Sequence, residues 1–417
     1  MVLIKNTENS VKKENELVFP KGFLWGTSTS AYQIEGGIKN DWSEWEKIAR
    51  RLNSLKKKGK DIDEFICDKG CDSYNRYKED VALAADLNTN AIRFGLEWAR
   101  IQPEKDSWNI EALNHYRKLM EEAKAKNLKV VLTIWHWTNP LWLAEEGGWT
   151  SKDVVDCFAK YVDVVIKELG SYVDYWVVLN EPMVHISNGY LTAKFPPHKR
   201  NPFKAKKVFK NLVEAHKKAY ELIHHHFPRA QVSITQLTND FEPARKWFLP
   251  EIIIAKIARH YWNDKFLDKI KNHLDYIGLD YYFHDRMVWY PPFKRNKNKM
   301  VTDMGWEIYP EGIYHVLKYL SKFKKPIFIL ENGLADKEDK YRAEFIKSHL
   351  SYVHKAIEEG VDVRGYFYWS LLDNFEWGHG YGPKFGLYEV NRKTFARTKR
   401  PSALVYADIC KNNKLTM

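Results

Sequence analysis

Two glutamates stand directly after apolar runs whose composition is typical of β-strands. Glu181 follows a run at 175–179, and Glu331 follows a second run at 326–330. Carboxylates at the ends of two parallel strands of one barrel would face each other across a mouth with apolar walls. A protonated and an ionised carboxyl group in such a place form the pair that cleaves glycosidic bonds. Two carboxylates in structural ion pairs are the alternative interpretation.

The neighbours of the two glutamates suggest different roles for them. Arg93, if it points inward, would keep a nearby carboxylate ionised, and the hydroxyl of Tyr282 can donate to the same anion, as a nucleophile requires. Glu181 lies between Asn180 and Pro182 with no basic neighbour, which suits a group that keeps its proton. These features favour Glu181 as acid/base and Glu331 as nucleophile. Such a pair should be about 5 to 5.5 Å apart, whereas a separation near 9 Å would indicate the inverting mechanism.

The elements that must position these residues recur along the whole chain. Apolar runs rich in β-branched and aromatic residues predict eight strands, at 23–27, 91–94, 129–135, 175–179, 232–235, 276–279, 326–330 and 365–369. Helical periodicity between them is clearest at 74–86, 110–126, 152–169, 205–226 and 340–359. Ser73 and Ser151 are candidate N-caps for the first and third of these helices. Alternating strands and helices predict parallel pairing, and eight units predict an α/β fold, a single-domain (β/α)8 TIM barrel.

Polar and aromatic side chains concentrate just after the predicted strands, where barrel enzymes build their sites. Besides the two glutamates, they are Gln33, Arg93, His136, Trp137, Asn180, Asp280, Tyr282, Trp369, Glu376 and Trp377. No linker rich in proline, glycine or serine interrupts the pattern. We therefore expect a polar, flexible leader at residues 1–18 and one catalytic barrel at 19–417.

The amino-acid composition bears on whether the protein binds a sugar or a nucleic acid. Aromatic residues make up 15% of the chain, with 16 tryptophans, which suits either a sugar-binding cleft or a tryptophan-rich core. The net charge of +12 raises the question of nucleic acid. The lysine clusters at 56–58, 204–210 and 294–299 are separate from the aromatic residues, so we interpret them as solvated surfaces and predict no nucleic-acid partner.

Four cysteines are too few for a disulfide framework in 417 residues, and no second pair accompanies Cys67 and Cys71 at metal-ligand spacing. The consecutive residues 224–226, all histidine, would point in different directions on a helix. We therefore predict neither metal nor cofactor. No signal-like segment and no run of 18 apolar residues is present, so we expect a cytoplasmic protein with no membrane partner.

Four segments of the chain resemble glycoside hydrolase family 1, the β-glucosidase and β-galactosidase family, and the resemblance extends over residues 19–409. They are the stretch at 23–36, Asn180-Glu181-Pro182, Glu331-Asn332-Gly333 and the stretch at 363–377 that ends in Asp373-Asn374-Phe375-Glu376-Trp377. One such motif is weak, but four in order and at the right spacing are specific. The resemblance implies a retaining β-glycosidase that acts by double displacement on short β-linked saccharides, without a cofactor.

The resemblance also implies roles for matching residues. Glu181 would be the acid/base and Glu331 the nucleophile, contacted by Arg93 and Tyr282. Trp369 would form the floor under the non-reducing sugar. Its hydroxyls would be held by Gln33, His136, Asn180, Glu376 and Trp377, and Trp137 is also expected in the substrate site. Taken one at a time, His136 could instead be a core histidine, Trp369 core packing, and Arg93 a member of a buried ion pair.

The chain departs from the family at Asp280, where an asparagine is usual. This third acid would raise one of the coupled pKa values or itself stay protonated. Two alternatives share the fold: a 6-phospho-β-glycosidase, which Glu376 would disfavour by repelling phosphate, and a catalytically inactive sugar-binding protein. The balance between hydrolysis and transglycosylation, the preferred sugar and the oligomeric state are left open.

Overall fold

Eight parallel strands form a closed barrel in the computed structural model, which describes residues 16–416. The strands are β1 Leu24–Ser28, β2 Ala91–Gly95, β3 Lys129–Trp135, β4 Tyr175–Asn180, β5 Gln231–Leu237, β6 Ile277–Asp280, β7 Ile327–Asn332 and β8 Val363–Trp369. Each strand pairs with the next along the chain, and β8 pairs with β1 to close the ring. All eight predicted strands are present, most with bounds shifted by one or two residues, and the predicted (β/α)8 barrel is confirmed.

Buried side chains fill the inside of the barrel. One cluster, made mostly of strand residues, includes Val131, Val177, Phe328 and Phe367. Gly26 of β1 lies against the Phe367 ring, and a Cβ at this position would come within 2.3 Å of it. A bulky aromatic residue on one strand therefore requires a glycine on its neighbour, as expected for a packed interior.

Eight helices lie on the outside of the barrel, seven between successive strands and one after the last strand. They are α1 Ser73–Asp86, α2 Ile110–Ala125, α3 Val154–Leu169, α4 Pro202–His226, α5 Leu249–Arg259, α6 Glu311–Leu320, α7 Arg342–Glu358 and α8 Pro401–Asn412. The predicted N-caps are wrong. Ser73 is already the first residue of α1, and α3 begins after Asp153, two residues beyond Ser151. Neither Asp72 nor Asp153 makes a side-chain capping hydrogen bond.

Shorter elements shape the loops at the two ends of the barrel. The short α- and π-helices are Ala31–Glu35, Asp41–Glu46, Ala49–Lys57, Trp98–Ile101, Leu141–Glu145, Pro182–Ile186, Ser187–Leu191, His260–Asp264 and Lys265–Ile270. The 3-10 turns are Asp63–Phe65, Gly148–Thr150, Gly170–Tyr172, Lys271–His273, Ser321–Phe323 and Trp377–His379. Two further strand pairs lie outside the barrel, Asp240–Pro243 with His284–Met287 and Tyr388–Val390 with Arg397–Lys399.

The two ends of the described chain meet. Strand Glu16–Val18 pairs antiparallel with Lys414–Thr416. The predicted leader at residues 1–18 lies outside the described residues as far as residue 15, and its last three residues form this strand.

All four cysteines are free thiols. Among the described helices, none is long and apolar enough to cross a membrane.

Candidate active site

Glu331, at the end of β7, is held by one side chain from β2 and one from the segment that follows β6. Arg93 Nη1 donates to Glu331 Oε1 at 2.7 Å, and the Tyr282 hydroxyl donates to Oε2 at 3.0 Å. Arg93 is fully buried and also donates to Thr133 Oγ1 at 3.0 Å. Burial raises the pKa of Glu331 above its usual value, and Arg93 and Tyr282 limit this rise. The two donors thus stabilise the charged form, as an ionised nucleophile needs.

Glu181 occupies a different environment. It follows β4 in the left-handed region, with φ 41°, and its backbone N–H is held by the carbonyl and hydroxyl oxygens of Thr235 at 3.1 and 3.2 Å. Its side chain is buried and forms no ion pair with a described residue. Burial raises its pKa well above the usual value, and the charges of Asp280 and Glu331 add to the increase. Its carboxyl group therefore favours the protonated form.

Asp280 brings a third carboxyl group to the same place. One oxygen of each of Asp280, Glu181 and Glu331 lies within 4.8 Å of an oxygen of each of the others. Asp280 is fully buried; burial and the charge of Glu331 raise its pKa well above the usual value, and Arg93 opposes this shift. Hydrogen bonding with Thr235 and Glu181 also lowers the pKa of the Asp280 carboxyl group. The site therefore holds three acids around one guanidinium group.

Asn180 connects this cluster to His136. Its Oδ1 accepts from Arg93 Nη2 at 2.5 Å and from the Thr235 hydroxyl at 2.8 Å. The amide nitrogen must then donate to His136 Nε2, 3.0 Å away, so the proton of the neutral imidazole belongs on Nδ1. Burial and Arg93 hold the pKa of His136 well below its usual range. His136 is therefore a neutral donor.

A cavity of about 370 Å³ opens above the two glutamates. All the residues that the sequence predicts for substrate contact line it, namely Gln33, His136, Trp137, Asn180, Trp369, Glu376 and Trp377, together with Glu181, Tyr282 and Glu331. The two remaining predicted site residues, Arg93 and Asp280, lie behind this lining, within reach of Glu331. The structure thus brings every predicted site residue into one place.

Several buried polar atoms around the cavity have no partner among the described residues. They include Gln33 Oε1, His136 Nδ1 and Glu376 Oε2. Burial and the charge of Glu331 raise the pKa of Glu376 to about 8, so its carboxyl group can donate as well as accept at neutral pH. Buried polar atoms normally have partners, so these three are suited to meet a hydroxylated ligand.

Comparison with known proteins agrees with this geometry. Residues 15–300 and 261–415 match the family model described as glycosyl hydrolase family 1. The chain belongs to glycosyl hydrolase family 1. A 1,4-β-D-glucan glucohydrolase of Thermotoga neapolitana is 33% identical, covering 95% of this chain and 99% of that protein. A β-galactosidase of Sulfolobus acidocaldarius is 31% identical over 95% of this chain and 96% of its own length. The solved structure of a β-glycosidase from Pyrococcus horikoshii superposes with a TM-score of 0.87 at 38% identity and covers 97% of each chain.

Membership of family 1 makes this protein an O-glycosyl hydrolase, a retaining β-glycosidase. Its carboxylate geometry agrees, since an oxygen of Glu181 lies within 4.8 Å of an oxygen of Glu331, which favours the short separation of retaining enzymes over the separation of about 6.5 to 9.5 Å of inverting ones. Neither the phosphoglycosidase nor the inactive sugar-binding alternative is favoured by the relatives.

Other cavity residues were missed from the sequence of this family 1 chain. The outer cavity is lined by Trp262, Phe283, Met304, Trp306, Phe385, Asn188 and Lys194. Trp306 packs on Phe283, with ring centroids 4.5 Å apart, in the long connection between β6 and α6. This connection has no periodicity that would place its side chains, and the only signal in the sequence is the tryptophan content of the chain as a whole.

Glu181, Asp280 and Glu331 are also the group of described acids that could offer three oxygens to one metal ion. Arg93, whose guanidinium group lies 2.7 Å from Glu331, already provides positive charge there. The cluster therefore fits a proton-sharing site better than a cation site.

Proposed function

We propose that Glu331 is the nucleophile and Glu181 the acid/base of this β-glycosidase. One observation carries the assignment: the two carboxyl groups lie within 4.8 Å, and only Glu331 accepts from a guanidinium group and a phenol. The stabilised anion is suited to attack, and the acid without a cationic partner is suited to hold a proton.

The reaction would proceed in two displacements. Glu331 attacks the anomeric carbon while Glu181 gives its proton to the leaving oxygen, so one C–O bond forms as another breaks. Glu181, now ionised, then takes a proton from water, which attacks the anomeric carbon and frees Glu331. Arg93 and Tyr282 hold Glu331 in position throughout.

The non-reducing sugar would lie on Trp369, whose face borders the cavity. We propose that Gln33, His136 and Glu376 bind its hydroxyls through their unpartnered atoms. Asn180 retains a second amide hydrogen for the 2-hydroxyl, since its oxygen is occupied by Arg93 and Thr235. Trp137 and Trp377 close the side of the cavity, with ring centroids 4.7 Å apart.

Asp280 would set the proton affinity of Glu181. Its charge raises the pKa of Glu181, and the two groups are within 4.8 Å. We propose that Asp280 keeps the acid/base protonated to higher pH than an asparagine would. The third acid is then a modulator of the pH range and not a reacting group.

For substrates, we propose β-glucosides and β-galactosides with short aglycones, which the names of the two relatives support. A 6-phosphorylated sugar is disfavoured because Glu376 offers a phosphate no positive charge, and it would repel the phosphate once it ionises above about pH 8. A cytoplasmic location remains a proposal, supported by the four free thiols.

Replacing Glu331 with alanine tests this function. The variant should release no nitrophenol from aryl β-glucosides above background, while keeping the unfolding temperature within a few degrees of wild type. Asp362→Ala, at an exposed acid in an ion pair with Arg364, is the matched control and should keep full activity. Undiminished turnover by Glu331→Ala would refute the proposed nucleophile.

A further inference from the structure

Helix α5 exposes aliphatic side chains on the face that should meet water. Leu249, Ile253 and Ile257 follow one another at intervals of four residues, and all three are exposed. The opposite face, which includes Glu251 and Ala255, is buried, and Ala255 packs on Phe241 and Met287 of a strand pair outside the barrel. A surface helix normally presents polar residues outward, so an aliphatic outer stripe indicates a surface that binds something.

Exposed aromatic residues continue this stripe. Trp247 is 78% exposed and Trp289 53% exposed, and both contact the Phe248 ring, with centroids 5.8 and 6.4 Å away. Tyr290 and Phe293, also exposed, lie in the turn that follows Trp289. We call the surface formed by residues 247, 249, 253, 257, 289, 290 and 293 the α5 face.

The surroundings of the α5 face are basic. The segments 240–262 and 284–301 contain nine Lys and Arg against four Asp and Glu. All four acids are already in ion pairs, Asp240 with His315, Glu242 with Arg286, Glu251 with Arg245 and Asp285 with Lys294. The other six basic side chains form no ion pair with a described residue, and they are Lys246, Lys256, Arg259, Arg295, Lys297 and Lys299. The α5 face thus combines apolar area with unneutralised positive charge.

We propose that the α5 face docks on the surface of an anionic lipid bilayer. Aliphatic side chains would enter the boundary of the acyl chains, Trp and Tyr would lie at the level of the headgroups, and Lys and Arg would meet lipid phosphates and carboxylates. This use requires no spanning helix. It therefore differs from the prediction of no membrane partner, which considered only spanning segments.

Other occupants use only part of the surface. A second copy of the chain would bring its own six unpaired cations to a symmetric contact, where like charges repel. Single-stranded nucleic acid could stack on Trp247 and Trp289 but would leave Ile253 and Ile257 against a polar backbone. An anionic bilayer matches both the aliphatic stripe and the charge.

Vesicle sedimentation tests the proposal on the full chain. Wild type should sediment with vesicles of phosphatidylserine and phosphatidylcholine, and much less with phosphatidylcholine alone or at high salt. Ile257→Asp with Lys256→Glu should lower the partition coefficient by about tenfold or more, because it removes one apolar anchor and reverses one charge. Leu404→Asp with Lys411→Glu on α8 is the matched control, since Leu404 is 60% and Ile257 62% exposed. Both variants should hydrolyse a soluble aryl β-glucoside at the wild-type rate.

Four results would overturn the proposal. One is no binding of wild type to anionic vesicles at low salt. Another is an equal loss of binding in the two double variants. The third is a stable dimer by sedimentation velocity that only the α5 variant dissociates, which would assign the surface to a second copy. Binding to an unstructured oligonucleotide with greater affinity than to the vesicles would equally assign it to nucleic acid.

Discussion

Replacing Asp280 with asparagine should move the alkaline limb of the pH profile to lower pH. That limb reports the loss of the proton from Glu181 in the free enzyme, and the charge of Asp280 is the largest contribution to the raised pKa of Glu181 after burial. Asparagine keeps the shape and the polarity but cannot ionise. Glu181 should then release its proton more easily.

The size of the shift follows from the distance. Two unit charges 4.8 Å apart, which is the upper limit for the nearest oxygens of the two groups, repel by about 3.5 kcal/mol in an effective dielectric constant of about 20. Arg93 attracts both carboxylates and reduces their mutual effect, so the limb should move to lower pH by less than this repulsion alone would give. The maximal rate should change little, because no reacting group is removed.

The assay is kcat/KM for an aryl β-glucoside from pH 4 to 10, with wild type and Asp280→Asn measured together. Stability provides the check on folding. The folded-state pKa of Asp280 is raised, so its burial opposes folding as pH rises above the unfolded value of about 4. The amide removes this penalty, and the unfolding temperature at pH 8 should not fall. An alkaline limb that stays in place, or moves to higher pH, would refute the coupling of Asp280 to Glu181.

Three further substitutions test the supports of the site. Tyr282→Phe removes a 3.0 Å hydrogen bond to Glu331, so the pKa of Glu331 should rise and the acidic limb of the pH profile should move to higher pH. We expect kcat/KM to fall by roughly 10- to 100-fold. A pH profile identical to that of wild type would contradict the contact. Wild type should show a change in KM near pH 8, where Glu376 ionises. Glutamine at this position cannot ionise, so initial-rate kinetics on either side of pH 8 should show no such change for Glu376→Gln. Gly333→Ala would place a Cβ 1.6 Å from the carbonyl oxygen of Trp369, so thermal unfolding should show a loss of several degrees, and an unchanged midpoint would count against this packing.

Much of the barrel could be predicted because its strands are continuous apolar runs. The predicted third strand, 129–135, matches β3 residue for residue, since both its faces are buried and the run ends where polar residues begin. Helix starts were less predictable. Ser73 is predicted as the cap that precedes α1, but the cap is Asp72, in a left-handed conformation with φ 57°, and Ser73 is the first helical residue. The residue type alone does not decide between these two positions.

The inner site was predictable for the same reason as the strands. Its residues directly follow strand ends, so the closure of the barrel brings Glu181 and Glu331 together although 150 positions separate their numbers. Most residues of the outer cavity, and all those of the α5 face, lie in the long connections that follow β5 and β6, where the sequence predicts no strand or helix. The lysine cluster at 294–299 was treated as separate from aromatic residues, but the fold places it beside Trp289, Tyr290 and Phe293.

The identity of the nucleophile is tested most directly by trapping the covalent intermediate. A 2-deoxy-2-fluoro-β-glucoside with a dinitrophenyl leaving group should form a glycosyl-enzyme that hydrolyses slowly, because fluorine destabilises the transition state of both steps. Mass spectrometry of the digested protein should find the sugar on Glu331 and on no other residue. The assignment of Glu331 would be contradicted by a sugar on Glu181 or Asp280. It would also be contradicted if the fully inactivated protein carried no sugar.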